Sequence, residues 1–259
     1  MTTGIERPLS PEEEELARKG EELALLQVRL ADQELYLANL RAELAVFEAK
    51  YLRQVGVLYA ELDDWNAKLA ELFAEQNGTE EARSTASQAR AQAADSRAAS
   101  HREATEAKEF APSPELKSLY REAAKRVHPD LATDVTDRKL RERLMTETNR
   151  AYQNGDVETL RRILQEYESS PDSVRGTGVA ADLVRILRQL KQVRNRLAQI
   201  QEEIAGFEGS DMSTLRTKTE EAGRQGRDLL AEMAANVQGR INAAKRQYDG
   251  EVPRRETAR

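Results

Sequence analysis

The chain contains no cysteine and only two histidines, His101 and His128, among its 259 residues. Without cysteine it can form neither a disulfide nor a thiolate metal site, and two histidines are too few for the usual histidine-rich metal centre. No serine or cysteine stands in a nucleophile setting, and the carboxylates are spread along polar helices. We therefore expect no metal, no cofactor and no enzymatic activity.

Aromatic residues are also scarce, at 5% of the chain, and there are only 13 glycines and 7 prolines. By contrast, 33% of the residues are charged, and alanine, glutamate, leucine, arginine and glutamine are abundant. This composition is typical of long helices and not of sheets. The sequence thus predicts an all-α protein without a large compact core.

Long apolar runs are missing as well, because none approaches the roughly 20 residues that a helix needs to span a bilayer. The acidic beginning of the chain lacks the basic and apolar regions of a secretory signal. We therefore expect no membrane span and a cytoplasmic location. The formal net charge of -6 argues against general nucleic-acid binding, although the last third of the chain is locally basic.

Mostly apolar residues at alternating spacings of three and four characterise the first third of the chain. The positions are Leu23, Leu26, Leu30, Gln33, Leu37, Leu40, Leu44, Phe47 and Tyr51, and then Leu58, Leu62, Trp65, Leu69 and Leu72. This spacing is typical of a coiled-coil seam, and Ser10 followed by Pro11 predicts where its helix begins. At Val55 the phase of the seam slips, which predicts a stutter.

The alanine-rich stretch 79–108 has two interpretations, a flexible linker or a helix whose alanine face lets another helix approach closely. The helix is favoured, because alanine has the highest intrinsic helix propensity. After a predicted linker at 169–178, a second seam occupies 179–207, and a further helix is predicted at about 213–248. These last two helices are expected to form an antiparallel hairpin.

A basic helix that runs into His-Pro-Asp is the most informative stretch of the chain. Ser113 is a good N-cap and Pro114 fits the first helical position, so a helix is predicted to begin there. Its apolar residues are Leu116, Leu119, Tyr120, Ala123, Ala124 and Val127, and its basic residues are Lys117, Arg121, Lys125 and Arg126. Pro129 cannot continue the helix, which predicts an exposed turn that presents His128 and Asp130.

The stretch 116–130 resembles the J-domain of DnaJ-type co-chaperones, in which a basic second helix leads into a His-Pro-Asp loop. The residues that match the second helix are Leu116, Lys117, Tyr120, Arg121 and Ala124, and those similar to the Asn-Glu-Ala-Tyr signature of the third helix are Asn149, Ala151 and Tyr152. A short fourth helix is predicted to follow Asp156. No matching first helix precedes Ser113, and two sources stay open for it, residues 104–110 or a diverged arm.

The resemblance implies a protein that docks on a DnaK-type chaperone ATPase and stimulates its ATP hydrolysis. In this role His128, Pro129 and Asp130 form the trigger that contacts the ATPase. The basic residues expected to steer the chain toward an acidic patch of the ATPase are Lys117, Arg121, Lys125 and Arg126. The coiled coils are expected to form a homo-oligomer or to select an unknown client protein. The alternative is a structural coiled-coil scaffold whose degenerate J-like module engages no ATPase.

These patterns divide the sequence into three predicted regions. Residues 1–110 form a long coiled-coil helix with an alanine-rich arm, residues 111–169 form the J-like module, and residues 170–259 form a helical hairpin. The first region is acidic in its long helix, and the third has closely spaced arginine and lysine residues. Two hypotheses follow from this contrast. Either the acidic and basic helices pack together, within one chain or between chains, or each charged run is a solvated face.

Overall fold

In the computed structural model of the chain, residues 10–102, 110–132, 135–168 and 178–257 are described. They form helices joined by short turns, and none of the described residues belongs to a strand, which confirms the all-α prediction. The α-helices are α1 (Pro11–Tyr51), α2 (Val57–Asn77), α3 (Glu80–Arg102), α4 (Pro114–Val127), α5 (Val135–Gln153), α6 (Val157–Glu168), α7 (Val179–Glu208), α8 (Asp211–Arg224) and α9 (Leu229–Thr257). Residues 169–177 of the predicted linker and residues 104–109 of the candidate first helix lie outside the described residues.

The helices are divided between two compact units, each built from two segments of the chain. The first unit comprises Met1–Ala42 and Phe110–Glu208, and the second comprises Glu43–Glu109 and Gly209–Arg259. Helix α1 therefore contributes residues to both units, α7 belongs to the first, and α8 and α9 belong to the second. The three-part division of the sequence described above stays a prediction.

The second unit contains α2, α3, α8 and α9. Helices α2 and α3 are joined at Gly78, whose φ of 66° lies in the left-handed region that favours glycine. Helix α3 packs small side chains toward α2, since Ala93 is buried and Ser96 Oγ donates a hydrogen bond to Asp63 Oδ2 at 2.6 Å. The helical interpretation of the alanine-rich stretch is thus confirmed for Glu80–Arg102.

The helix that begins at Pro11 reaches α2 through one π-helical turn, Leu52–Gly56. A π turn contains one residue more than an α turn, and this extra residue rotates the apolar face about the helix axis. Val55 lies in this turn and is fully buried in a cluster with Phe47 and Leu230 of α9. The predicted change of phase at Val55 therefore coincides with a π turn, whereas supercoiling of the helices stays a prediction.

The core of the first unit is formed by α4, α5 and α6 together with one face of α1. Its buried residues are Leu116, Tyr120, Ala124 and Val127 of α4, Leu144, Met145, Ala151 and Tyr152 of α5, Leu160 and Ile163 of α6, and Ala31, Leu35 and Ala38 of α1. The Tyr120 and Tyr152 rings lie at the centre of this contact, with centroids 4.6 Å apart. Helix α1 thus packs on the J-like helices although the sequence contains no matching first helix directly before them.

Helix α7 packs along α1 within the same unit. A shared apolar cluster contains Leu23, Leu30 and Leu37 of α1 and Leu190, Val193, Leu197 and Ile200 of α7. Beside this cluster, Arg194 of α7 pairs with Glu22 of α1, and Glu203 of α7 pairs with Arg41 of α1. These two helices therefore pack together within one chain, and the Arg194–Glu22 pair has the predicted polarity, whereas the Arg41–Glu203 pair has the opposite one.

Candidate functional site

The His-Pro-Asp segment lies where α4 ends, as the sequence predicts. Ser113 Oγ accepts a hydrogen bond from the backbone N–H of Leu116 at 3.1 Å and so caps the beginning of α4. The helix ends at Val127, and a single 3-10 turn, Pro129–Leu131, follows before α5. Cap and proline together set the length of α4 and therefore the position of His128.

The His128 side chain is buried, with only 2% of its surface exposed, which corrects the prediction of an exposed histidine. Its Nδ1 accepts a hydrogen bond from the backbone N–H of Asp130 at 3.2 Å, and its Nε2 lies 3.0 Å from Oε1 of Glu34 in α1. With a proton on Nε2 and none on Nδ1, the ring satisfies both contacts, because Nδ1 then accepts and Nε2 donates. The histidine is buried because α1 provides a carboxylate directly opposite its ring.

Glu34 is itself buried and joins three helical segments. Arg196 of α7 donates from Nε to the same Glu34 Oε1 at 2.9 Å and from Nη1 to Glu203 at 2.7 Å. Burial raises the pKa of the Glu34 carboxyl, but hydrogen bonds from His128 and Arg196 outweigh it and hold that pKa below its ordinary value. Glu34 is therefore ionised at neutral pH. We refer to Glu34, His128 and Arg196 as the Glu34 cluster.

The rest of the turn is also held by α1 and α7. Leu131 is buried in the apolar cluster that these two helices share, and its carbonyl accepts a hydrogen bond from Gln189 Nε2 of α7 at 3.2 Å. The Asp130 side chain retains 20% of its exposure, and its Oδ2 lies 3.8 Å from His128 Nδ1. Of the two polar side chains in the tripeptide, the Asp130 carboxylate is thus the one that reaches solvent.

The predicted basic residues of α4 differ in their surroundings. Arg121 donates from Nε to Asp32 Oδ1 of α1 at 2.8 Å, and both side chains are about half exposed. Arg126 pairs with Glu122 of its own helix at 2.7 Å. Lys125 is exposed and Lys117 is half-buried. The α4 surface therefore keeps exposed positive charge at Lys125, while its Arg121 already binds a carboxylate of α1.

Arg141 of α5 positions the turn, and the sequence reasoning missed it. Its Nη1 donates to the backbone carbonyl of Arg126 at 2.8 Å, its Nε donates to Asp137 Oδ1 at 2.8 Å, and its guanidinium lies over the Tyr167 ring. Arg141 is buried and satisfies a carbonyl at the end of α4, where no helical partner exists. Nothing in the sequence distinguishes this arginine from the exposed arginines around it.

The tyrosine hydroxyls of the J-like sequence pattern bond its two parts to each other and to α1. Tyr120 of α4 donates its hydroxyl to Asn149 Oδ1 of α5 at 2.7 Å, and Tyr152 of α5 donates to Asn39 Oδ1 of α1 at 2.7 Å. The tyrosines of the two motifs are therefore core residues whose hydroxyls are satisfied.

Neither a metal site nor a membrane segment is found in the described ranges. They contain no group of three or more potential metal ligands and no helix that is both long and apolar enough to cross a membrane. Comparisons of the chain with protein-family models, curated proteins and solved structures find no match.

Proposed function

We propose that this protein is a J-domain-type co-chaperone that docks on a DnaK-type chaperone ATPase and stimulates its ATP hydrolysis. The observation that supports this proposal is the α4–turn–α5 hairpin, in which a basic helix ends at His-Pro-Asp and the returning helix is bonded to it through Tyr120 and Asn149. The chain performs no chemistry of its own in this role. A cytoplasmic location is part of the proposal.

Docking on the ATPase would use the charged groups at the end of α4. The Asp130 carboxylate, which is partly exposed, would bind a basic group of the ATPase, while Lys125 and Arg121 would face an acidic patch. Complementary charges accelerate the encounter of two proteins, and added salt weakens this acceleration. The His128 ring would act by fixing the turn, since its Nδ1 holds the backbone N–H of Asp130. The remaining helices would select a client or form a homo-oligomer.

The test is the steady-state ATP turnover of a DnaK-type ATPase with the full chain added. Wild type is expected to stimulate turnover, and Asp130→Asn is expected to abolish the stimulation, because the amide keeps the shape of the side chain but loses its charge. A matched control is Asp95→Asn, since Asp95 is an exposed carboxylate of α3 in the other unit. Equal turnover with wild type and Asp130→Asn would contradict the proposal.

A structural scaffold with a J-like module is the second candidate, and one observation favours it. Both ring nitrogens of His128 bond within the chain, so the histidine has a structural use that requires no ATPase. On this hypothesis wild type, Asp130→Asn and Asp95→Asn all leave ATP turnover at its basal rate. The same assay therefore separates the two candidates.

A further inference from the structure

We propose that α1 and α7 together cover the His-Pro-Asp turn and compete with the ATPase for it. This inference rests on the proposed function and concerns regulation of the same site. Its partner is internal: an acidic face of α1, held in place by α7. The ATPase then gains full access to the turn only when the α1 and α7 side chains that cover it move aside.

The first support is the burial of the turn. His128 and Leu131 are 2% and 5% exposed, and each is covered by residues of α1 or α7 that lie far from it in sequence. Glu34 contacts the outer ring nitrogen, Nε2, and Gln189 bonds to the Leu131 carbonyl. The Asp130 carboxylate, which would bind the ATPase, thus lies on a turn whose neighbouring residues are covered by α1 and α7.

The second support is the charge of α1. Asp32 and Glu34 contact Arg121 and His128 at 2.8 Å and 3.0 Å, so α1 brings two carboxylates to the basic face of α4 and the turn. This is the surface for which the sequence predicts an acidic partner. Helix α1 therefore provides, within the chain, the charge that the ATPase is expected to bring.

The third support is the dependence of this contact on α7. The buried Glu34 carboxylate is paired with the Arg196 guanidinium of α7, and a buried carboxylate without a cation is strongly disfavoured. Arg196 therefore stabilises α1 against the turn, although it does not belong to the J-like helices. Removal of Arg196 should shift the population toward an uncovered turn, and a larger uncovered fraction lowers the concentration of chain that the ATPase needs.

The test compares Arg196→Ala with Arg194→Ala in the full chain. Arg194 also links α7 to α1, but its partner there is Glu22 and not Glu34. Loss of one hydrogen bond to a buried charged group changes an equilibrium roughly tenfold. Arg196→Ala is therefore expected to reach half-maximal stimulation of ATP turnover at about a tenfold lower concentration, and Arg194→Ala at the wild-type concentration.

A second readout measures access to His128 without any ATPase. In a His101→Gln background His128 is the sole histidine, so its modification by diethyl pyrocarbonate can be followed directly. The Arg196→Ala change is expected to raise the modification rate roughly tenfold, by the same shift in population. Gln189→Ala, which removes a neutral hydrogen bond to the turn, is a milder variant to use if Arg196→Ala loses helicity, and it should change both readouts in the same direction.

The outcomes separate this inference from the proposed function. If Arg196→Ala stimulates ATP turnover at a lower half-maximal concentration and its His128 is modified faster, both the proposed function and the competition are supported. The competition is overturned, and the co-chaperone function is kept, if all chains stimulate equally and Asp130→Asn abolishes the stimulation. The chains compared are wild type, Arg194→Ala, Arg196→Ala and Gln189→Ala. If no variant stimulates ATP turnover, the proposed function is overturned and the competition with it. The modification rates then measure only how well α1 and α7 cover His128.

Discussion

Replacement of Glu34 by alanine is the perturbation whose effect on stability follows most directly from the site. The change removes the acceptor that His128 Nε2 and Arg196 Nε share, at 3.0 Å and 2.9 Å. A buried donor without a partner costs about 1–3 kcal/mol. Arg196 keeps its 2.7 Å bond to Glu203, so most of the loss falls on His128. We expect Glu34→Ala to lower the free energy of unfolding by about 2 kcal/mol.

Thermal unfolding followed by circular dichroism measures this effect. A loss of about 2 kcal/mol corresponds to a fall in the midpoint of roughly 4–8 °C for a chain of this size class. Glu34→Gln keeps an acceptor oxygen for His128 and should lose about 1 kcal/mol. The control is Glu22→Ala, which removes another α1 carboxylate that pairs with α7, but one whose side chain keeps 32% of its exposure and whose partner Arg194 is exposed. A Glu34→Ala midpoint equal to that of Glu22→Ala would refute the reasoning.

Two further predictions concern acid and the end of α4. The pKa of Glu34 lies below its ordinary value of 4.5 in the folded chain, so its stabilisation is complete above that value and is lost as the pH falls through the lowered pKa; unfolding midpoints of wild type and Glu34→Gln should therefore converge as the pH falls below 4.5, and a constant difference would contradict this. Arg141→Met removes the guanidinium that pairs with buried Asp137 and bonds to the Arg126 carbonyl; it should lower the free energy of unfolding, measured by chemical denaturation, by about 3 kcal/mol, whereas the exposed control Arg138→Met should change this free energy little.

Local features of the fold could be predicted from the sequence because they depend on neighbouring residues. Ser113 and Pro129 set the ends of α4 through a side-chain cap and a missing backbone N–H. The phase change at Val55 is visible in the spacing of apolar residues, and it coincides with the π turn. The alanine content and spacing of α3 likewise favoured a closely packed helix, because both are local properties of the sequence.

The surroundings of His128 could not be predicted, because they depend on contacts across long stretches of sequence. The ring bonds to a residue 94 positions away, and Glu34 bonds to another 162 positions away. Spacing of apolar residues predicts that α1 buries a face, but not which residues it packs against. Since most glutamates on a polar helix are solvated, nothing marks Glu34 as the one that meets His128. The exposure prediction for the turn was therefore wrong for His128.

The most direct test of the co-chaperone proposal is the ATP turnover of a DnaK-type ATPase with Arg196→Ala and with the double variant Arg196→Ala, Asp130→Asn. The first variant weakens the cover over the turn, so it is expected to stimulate turnover at a lower concentration than wild type. The proposal predicts stimulation by Arg196→Ala and basal turnover with the double variant. Basal turnover with both, in chains that keep their helicity, would contradict the co-chaperone function and favour the scaffold.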